Sequence, residues 1–339
     1  MVDKKRIYIA YTGGTIGMKA SAQGYIPVPG YLSKSLAKMP EFHRPEMPEF
    51  VINEYANLID SSDVAPADWF NIAKDIQANY LTFDAFIILH GTDTMAFTSS
   101  ALSFIFGNLQ KPVIVTGSQI PLAELRSDGQ SNLLNAIYIA ANYGIPEVTL
   151  FFNNKLYRGN RAKKVDASGF NAFDSPNYPA LLSAGIKIQA HIAIAQIPQK
   201  VPALMLNDIA RQPIGLVSLY PGFDAELLDN VLQRPVIAVL MMAYGVGNAP
   251  QSAALKDSLM RAREKKIMVV NCSQCIKGTV DMDGYANGKW MQSLGVISGH
   301  DITVEAALTK LHYVLSQSEW TFEHRKKMME TDLRGEITI

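Results

Sequence analysis

Apolar runs separated by helix-like segments dominate the first half of the chain. Five of these runs are almost continuously apolar, which is typical of parallel strands covered on both faces. They are RIYIAY, FVINEY, FDAFIILH, KPVIVTG and EVTLFFN. Helical periodicity fills the intervals, as in PADWFNIAKDIQANY and DGQSNLLNAIYIAANYG. Strands that alternate with helices predict an α/β fold whose sheet is mostly parallel and flanked by helices.

The alternation lapses around residues 191–212, where the segment HIAIAQIPQKVPALMLNDIARQP carries three prolines and no sustained period. A second set follows, with the strand-like runs IGLVSLYPG, PVIAVLMMAYG and KKIMVVNCSQ and helical patterns at 224–233, 251–265 and 303–316. A chain of 339 residues is longer than one core usually serves. We therefore predict two domains and a linker: a larger N-terminal α/β domain over 1–190, a linker over 191–212 and a smaller C-terminal α/β domain over 213–339.

A cluster of polar residues follows each strand-like run of the N-terminal domain. The clusters are TGGT (12–15), DSSD (60–63), GTDT (91–94), SQ (118–119) and RGNRAKK (158–164). In open α/β sheets, ligands bind outside the carboxyl ends of the strands. Parallel strands place all these ends at one edge of the sheet, so we expect the five loops to converge on one pocket.

The turn TGGTIG after the first run has two interpretations. A dinucleotide-binding turn requires Gly-x-Gly-x-x-Gly and an acidic residue about 20 positions on. Here Thr12 occupies the first glycine position, the region VPGYLSKSLA has no carboxylate, and no Walker pattern occurs. The alternative is chemical. Gly13 and Gly14 permit a sharp turn with exposed N–H groups that could stabilise an oxyanion, and the Thr15 hydroxyl could then reach a bound substrate.

A second hydroxyl stands beside a carboxylate in the segment HGTDTM. Thr92 and Asp93 lie where a strand ends and a helix begins, so helix capping and catalysis explain them about equally well. Lys164 would complete a Thr–Asp–Lys group, because a lysine beside a carboxylate can steer a proton. A solvated basic loop is the alternative for Lys163 and Lys164. Tyr25 could fold back over the first turn, although spacing alone favours simple packing.

Composition and the remaining motifs narrow the range of functions. Lys plus Arg and Asp plus Glu each number 31, so the net charge is zero and neither nucleic acid nor an anionic membrane is an expected partner. No apolar stretch reaches the length of a membrane span, and the amino-terminal segment is interpreted as a first strand and not a signal peptide. The histidines show no metal-ligand spacing. Cys272 and Cys275 are interpreted as reduced thiols, as suits the cytoplasm. We predict neither a cofactor nor a metal.

Together these motifs resemble the bacterial-type L-asparaginases over nearly the whole chain. The two most specific segments are AYTGGTIGM and IILHGTDTMAFTSSALSF, in that order. GYIP, DSSD, TGSQIP, NNKLYRGNRAKK and YGVGNAP also resemble the family. The DSSD and YRGNR details are similar to the cytoplasmic type I branch.

The resemblance implies a reaction and a set of residues for it. L-asparagine would be hydrolysed to L-aspartate and ammonia through a covalent acyl-enzyme, in a cytoplasmic homotetramer built as a dimer of dimers. Thr15 would be the nucleophile with Tyr25 as its hydrogen-bonding partner, and residues 18–32 would form a lid. The implied second group is Thr92, Asp93 and Lys164, and the loop implied to hold the substrate's α-carboxylate is Asp60, Ser61 and Ser62. Asp93 would also take the substrate ammonium.

Some expectations and alternatives concern other parts of the chain. Asn248 resembles a residue that reaches a partner's site, whereas VDMDGYANG departs from the family pattern and leaves Asp281, Asp283 and Tyr285 unassigned. Lys163 and Cys275 are candidates for a regulatory asparagine pocket between subunits. The alternative functions are a broader glutaminase–asparaginase, an amidotransferase subunit, a nucleotide-dependent enzyme and a non-catalytic amino-acid-binding module.

Overall fold

The computed structural model describes residues 4–22, 24–192, 202–282, 284 and 286–339. They form two compact units, Met1–Asn207 and Asp208–Ile339. The division falls inside the segment 191–212 that we predict as a linker, of which residues 193–201 lie outside the described residues. The unit boundary follows the hydrogen bonds: Met205 and Leu206 pair with a strand of the first unit, and the carbonyl of Asp208 accepts from Gln317 of the second.

The first unit contains short strands and four helices within its described residues. The strands are β1 (Arg6–Gly13), β2 (Met18–Ser21), β3 (Gly24–Pro27), β4 (Glu49–Ile59), β5 (Ala85–Leu89), β6 (Phe106–Gly107), β7 (Val113–Thr116), β8 (Val148–Phe152), β9 (Lys155–Arg158), β10 (Lys163–Lys164), β11 (Phe173–Asp174), β12 (Leu182–Ala184), β13 (Ile188–Ala190) and β14 (Met205–Leu206). The helices are α1 (Tyr31–Leu36), α2 (Pro66–Asn79), α3 (Met95–Ile105) and α4 (Gly129–Asn142). Short 3-10 helices span Thr15–Gly17, Pro40–His43 and Ser61–Asp63.

The main sheet of this unit has a topological switch point. Its eight strands lie in the order β13-β12-β9-β8-β7-β5-β1-β4. The five strands from β8 to β4 are parallel, and β9, β12 and β13 extend the sheet in antiparallel fashion. Counted along the chain, the parallel strands have the order 2-1-3-4-5, so the chain reverses its direction across the sheet between β1 and β5. Ligands of doubly wound sheets bind at the carboxyl ends of the strands at such a point.

Alternation along the strands divides the core between the two faces of the sheet. Ile7 and Ile9 of β1 belong to a buried cluster that includes Leu133 and Ile137 of α4. Tyr8 lies between them in the strand and donates a hydrogen bond to Asp75 of α2. β5 is buried at all of its positions, as expected for a central strand with helices on both faces.

The second unit is a smaller α/β domain with a parallel sheet. Its strands are β15 (Ile214–Ser218), β16 (Ala238–Ala243), β17 (Met268–Ser273) and β18 (Ile297–Ser298), in that spatial order. Its helices are α5 (Ala225–Val231), α6 (Ala253–Glu264), α7 (Ala286–Ser293), α8 (Val304–Ser316) and α9 (Phe322–Glu330). The predicted α/β class, with a larger, mostly parallel N-terminal sheet and a smaller C-terminal domain, is confirmed. No helix in the described part of the chain has both the length and the apolar character needed to cross a membrane.

Candidate active site

The turn after β1 is shaped by a close approach of backbones. Gly13 and Gly14 adopt φ angles of 140° and 90°, which favour glycine. A Cβ atom on Gly14 would lie 2.3 Å from the backbone nitrogen of Gly91, and one on Gly13 would lie 2.1 Å from the carbonyl oxygen of Ile59. The turns after β1, β4 and β5 therefore pack against one another with no room for side chains at these glycines.

The two candidate threonines flank this contact between backbones. Thr15 follows Gly14 and is half-buried, while Thr92 follows Gly91 and is buried. Thr12, just before the glycines, donates its hydroxyl proton to the carbonyl of Leu89 at the end of β5 and so fastens the two strand ends together. Thr15 and Thr92, 77 positions apart in the chain, therefore stand on contacting loops at the switch point between β1 and β5.

Thr92, Asp93 and Lys164 form one hydrogen-bonded group. The Nζ atom of Lys164 lies 2.9 Å from Oγ1 of Thr92 and 2.7 Å from Oδ1 of Asp93. The Lys164 side chain is 20% exposed, and that of Asp93 is 65% exposed. Lys164 is held by the pairing of β10 with β11, where it lies opposite Phe173. A solvated basic loop is therefore the wrong interpretation of Lys164.

Helix capping is also the wrong interpretation of Thr92 and Asp93. Helix α3 begins at Met95, and its N-cap residue is Thr94. The Thr94 hydroxyl donates to the carbonyl of Ser61 at 2.6 Å, so it joins the loop after β5 to the loop after β4. The side chains of Thr92 and Asp93 make their contacts with Lys164 instead.

The loop after β4 carries the three residues implied for the substrate carboxylate. Oδ1 of Asp60 accepts from the backbone nitrogen of Ser62 at 2.9 Å and from its hydroxyl at 3.0 Å. Ser61 is buried against Gly91, where a Cβ atom would lie 2.4 Å from the Ser61 hydroxyl oxygen. Ser62 is exposed. The structure therefore brings this loop against the residue that precedes Thr92.

Tyr25 is not hydrogen-bonded to Thr15 within the described part of the chain. It lies on β3, opposite Ala20 of β2, and is 51% exposed. The hairpin of β2 and β3 precedes Gly30, whose backbone nitrogen donates to both carboxylate oxygens of Glu54, at 2.9 and 3.0 Å. The Tyr25 side chain stands half exposed on a strand, and its role as the partner of Thr15 stays a prediction.

Gln119 is a site residue to which sequence reasoning assigned no role. Its Oε1 atom lies 3.0 Å from Oγ1 of Thr92, which donates to it. Its backbone nitrogen donates to the carboxylate of Asp128, 3.0 Å from each oxygen. The signal available in the sequence was its position in the polar pair that follows β7.

His90, at the end of β5, is a buried structural residue. Its Nδ1 atom donates to the carbonyl of Gly91 at 2.8 Å, and its Nε2 atom lies 2.9 Å from the Thr98 hydroxyl. Trp69 also donates to that hydroxyl, and because Nδ1 carries the proton of the neutral ring, the Thr98 hydroxyl donates to Nε2. Burial lowers the pKa of His90, which agrees with a neutral ring protonated on Nδ1.

The remaining candidates lie in the second unit or on β10 of the first. Cys272 and Cys275 are both free; burial raises the pKa of the Cys272 thiol to about 12, and Cys275 is exposed. Asn248 forms an isolated bridge with Tyr244, and Asp281 accepts from the backbone of Gly284. Asp283 and Tyr285 lie outside the described residues. Lys163 belongs to β10 of the first unit, so its pairing with Cys275 stays a prediction.

No group of three or more His, Cys, Asp or Glu side chains that could hold a metal ion occurs among the described residues. The side chains that meet around Thr92 offer hydroxyl, amide, carboxylate and ammonium groups.

Comparison with known proteins identifies the family. Residues 6–196 match the model of the N-terminal asparaginase domain, and residues 213–329 match that of the glutaminase/asparaginase C-terminal domain. The chain is 59% identical to L-asparaginase 1 of Escherichia coli K12 over 99% of both chains. It matches the crystal structure of L-asparaginase I from Vibrio cholerae with a TM-score of 0.93 and 56% identity, over 99% of this chain and 100% of that one. It is also 41% identical to the 60 kDa lysophospholipase of Mus musculus, over its full length and 64% of that protein. The chain therefore belongs to the asparaginase family.

Proposed function

We propose that the protein hydrolyses L-asparagine to L-aspartate and ammonia through a threonine-linked acyl-enzyme, as an L-asparaginase of the type I branch. The observation that carries the proposal is the hydrogen bond of an ion-paired lysine to Thr92, on a loop that contacts the Thr15 loop. The high identity to L-asparaginase 1 of Escherichia coli supports asparagine as the substrate.

Thr15 is the proposed nucleophile. Its Oγ1 attacks the carbon of the side-chain amide, the C–N bond breaks, and ammonia leaves with a proton. A water molecule then attacks the Thr15 ester: its oxygen becomes part of the aspartate carboxylate, the ester C–O bond breaks, and a proton of the water restores the threonine hydroxyl. A covalent intermediate divides one difficult amide hydrolysis into two easier steps. Tyr25 becomes the hydrogen-bonding partner of Thr15 when the β2–β3 hairpin closes over the substrate, which also excludes bulk water.

The second group prepares the site for both steps. In the proposal, Thr92, Asp93 and Lys164 activate a threonine or the water molecule by proton transfer. The Asp93 carboxylate is 65% exposed and so can also pair with the substrate ammonium. The loop of Asp60, Ser61 and Ser62 holds the substrate's α-carboxylate, and the exposed Ser62 hydroxyl is the donor that can turn from Asp60 towards it.

The first test compares substrates. Ammonia release from asparagine should exceed that from glutamine by about 10-fold or more, the discrimination that one methylene group supports. Release of fatty acid from a lysophospholipid should stay at background, and this arm tests the similarity to the mouse lysophospholipase. Equal rates on glutamine would favour a broader glutaminase–asparaginase, and asparagine binding without turnover would favour a binding module.

The second test removes the two hydroxyls. Thr15→Ala and Thr92→Val should each lower kcat by orders of magnitude, with an unchanged circular dichroism spectrum. Thr15→Ser is the matched control, because it keeps a hydroxyl and should retain measurable turnover. Near-normal turnover by Thr15→Ala would overturn the assignment of the nucleophile.

The location, the assembly and the domain limits stay predictions. We propose a cytoplasmic homotetramer, built as a dimer of dimers in which Asn248 reaches a partner's site, and domains over 1–190 and 213–339. We also propose a regulatory asparagine pocket that involves Lys163 and Cys275. Sigmoidal kinetics with asparagine that become hyperbolic in a Cys275 variant would support this pocket, and hyperbolic kinetics in the parent protein would refute it.

A further inference from the structure

We propose that Gln119 is a positioning residue that sets the direction of the Thr92 hydroxyl proton. The inference rests on the proposed function, because the direction of this proton matters only if Thr92 takes part in the reaction. It is carried by the hydrogen bonds on both sides of the Gln119 amide.

The orientation of the Gln119 amide follows from its neighbours. Its Nε2 atom lies 3.1 Å from the carbonyl oxygen of Gly169 and 3.4 Å from that of Ala167. Carbonyl oxygens only accept hydrogen bonds, so the donating end of the amide must face them. The accepting Oε1 atom then faces Thr92.

The hydrogen bonds around Thr92 determine which group accepts its hydroxyl proton. A lysine ammonium only donates, so Oγ1 of Thr92 accepts from Lys164 at 2.9 Å. A threonine hydroxyl has a single proton, and the acceptor 3.0 Å away is Oε1 of Gln119. The hydrogen bonds therefore run in one direction, from Lys164 to Thr92 to Gln119 and on to the carbonyls of residues 167 and 169.

Two carboxylates hold the backbone around Gln119 and around the carbonyls at the accepting end of this chain of hydrogen bonds. Asp128 accepts from the backbone nitrogens of Gln119 and Ile120, which holds the glutamine in place. Oδ1 of Asp166 accepts from the backbone nitrogens of Ser168 and Gly169, at 2.8 and 2.9 Å. This second turn places the two carbonyls that orient the amide. A site group held by such supporting hydrogen bonds needs no rearrangement when the reaction begins.

As a consequence, Oγ1 of Thr92 directs a lone pair towards Lys164. If the acceptor at position 119 is lost, the hydroxyl can rotate and donate elsewhere, so fewer molecules have the productive arrangement. Because substrate binding does not require this arrangement, the loss should appear in kcat more than in KM.

Kinetics of Gln119→Met and Gln119→Glu with asparagine test the proposal. Gln119→Met keeps the length of the side chain and removes the acceptor, so kcat should fall about 10-fold, the scale of one lost hydrogen bond, while KM changes little. Gln119→Glu keeps an acceptor towards Thr92 but loses the donor that faces the carbonyls of residues 167 and 169, so it should lose part of kcat and still retain more than the methionine variant. A packing role predicts the reverse order, because methionine is the uncharged residue of matching size. Gln77→Met, on the exposed side of α2, is the matched control and should behave as the parent protein.

A double-mutant cycle completes the test. Gln119→Met added to Thr92→Val should cause no further loss, because the residue acts through the Thr92 hydroxyl. A parental kcat in Gln119→Met, a rise in KM alone, or full additivity with Thr92→Val would overturn the inference. If Thr92→Val itself turns over at the parental rate, the proposed function of Thr92 fails, which is a different result.

Discussion

The two units both place polar residues after parallel strands, but they use them differently. In the first unit, the side chains of Thr92, Lys164 and Gln119 bond to one another. In the second unit, Gln274 after β17 donates to the carbonyls of Leu219 and Met242, at 2.6 and 2.8 Å. The strand orders differ as well: the first sheet has a switch point, whereas the described strands of the second sheet are in sequential order.

The comparison shows what distinguishes a reactive sheet edge from a structural one. Polar residues at strand ends do not by themselves make a site, because their side chains can form structural hydrogen bonds to backbone carbonyls instead. At a switch point the chain leaves neighbouring strands towards opposite sides of the sheet, and the crevice outside the strand ends is where side chains can meet. Substitutions that affect the reaction should therefore be confined to the sheet edge that has this crevice.

The largest effect is expected from Lys164→Met. The change removes the ammonium that bonds Thr92 and Asp93, so kcat on asparagine should fall about 10²- to 10⁴-fold, the usual contribution of proton transfer by a positioned side chain. Lys155→Met, at the exposed first position of β9, is the matched control and should leave kcat unchanged. Equal losses in the two variants would show that the Lys164 contacts have no special role.

A substitution in the core of the second unit should lower the stability of the protein and leave kcat unchanged. Nζ of Lys310 lies 2.5 Å from Glu336, and both side chains are fully buried. Burial alone would raise the pKa of Glu336, but the Lys310 ammonium outweighs it and holds the pKa below its ordinary value. Lys310→Met should cost about 3–5 kcal/mol in the free energy of unfolding, because it leaves a buried carboxylate without its partner.

Urea denaturation measures this cost, and the double variant Lys310→Met/Glu336→Gln is its control. The double variant should recover part of the loss, since no buried charge is left alone. The folded Lys310→Met protein should keep the parental kcat. If kcat falls strongly under conditions in which all of the Lys310→Met protein is folded, the second unit contributes to the chemistry through this pair.

The smallest effect is expected from Gln274→Met. The side chain is exposed and bonds only to backbone carbonyls, so its loss should cost about 1 kcal/mol or less in stability. The kcat value should stay at that of the parent, unlike that of Gln119→Met in the first unit. A fall in kcat comparable to that of Gln119→Met would remove the distinction between the two sheet edges.

Much of the fold was accessible from the sequence because its signals are local. Continuous apolar runs predict the buried strands, and the polar clusters mark where those strands end. The strand order 2-1-3-4-5 was not accessible, since it depends on pairing between distant segments. The antiparallel strands β9, β12 and β13 were also missed, because each is short and has no clear alternation.

The site was predictable in its position and less so in its contacts. Thr and Asp are favoured at helix N-termini as well as in catalysis, so the pattern GTDT could not separate the two functions. The start of α3 at Met95 separates them. A single glutamine after a strand forms no motif, and the importance of Gln119 arises from its contact with Thr92, 27 residues away.

Trapping the intermediate tests the central claim most directly. Asparagine turnover is quenched with acid, and the protein is digested and analysed by mass spectrometry. We predict an ester-linked aspartyl group on the peptide that contains Thr15. This group should be absent from Thr15→Ala. It should be more abundant in Lys164→Met if deacylation becomes the slower step in that variant. An aspartyl group on the Thr92 peptide, or one that persists in Thr15→Ala, would contradict the account.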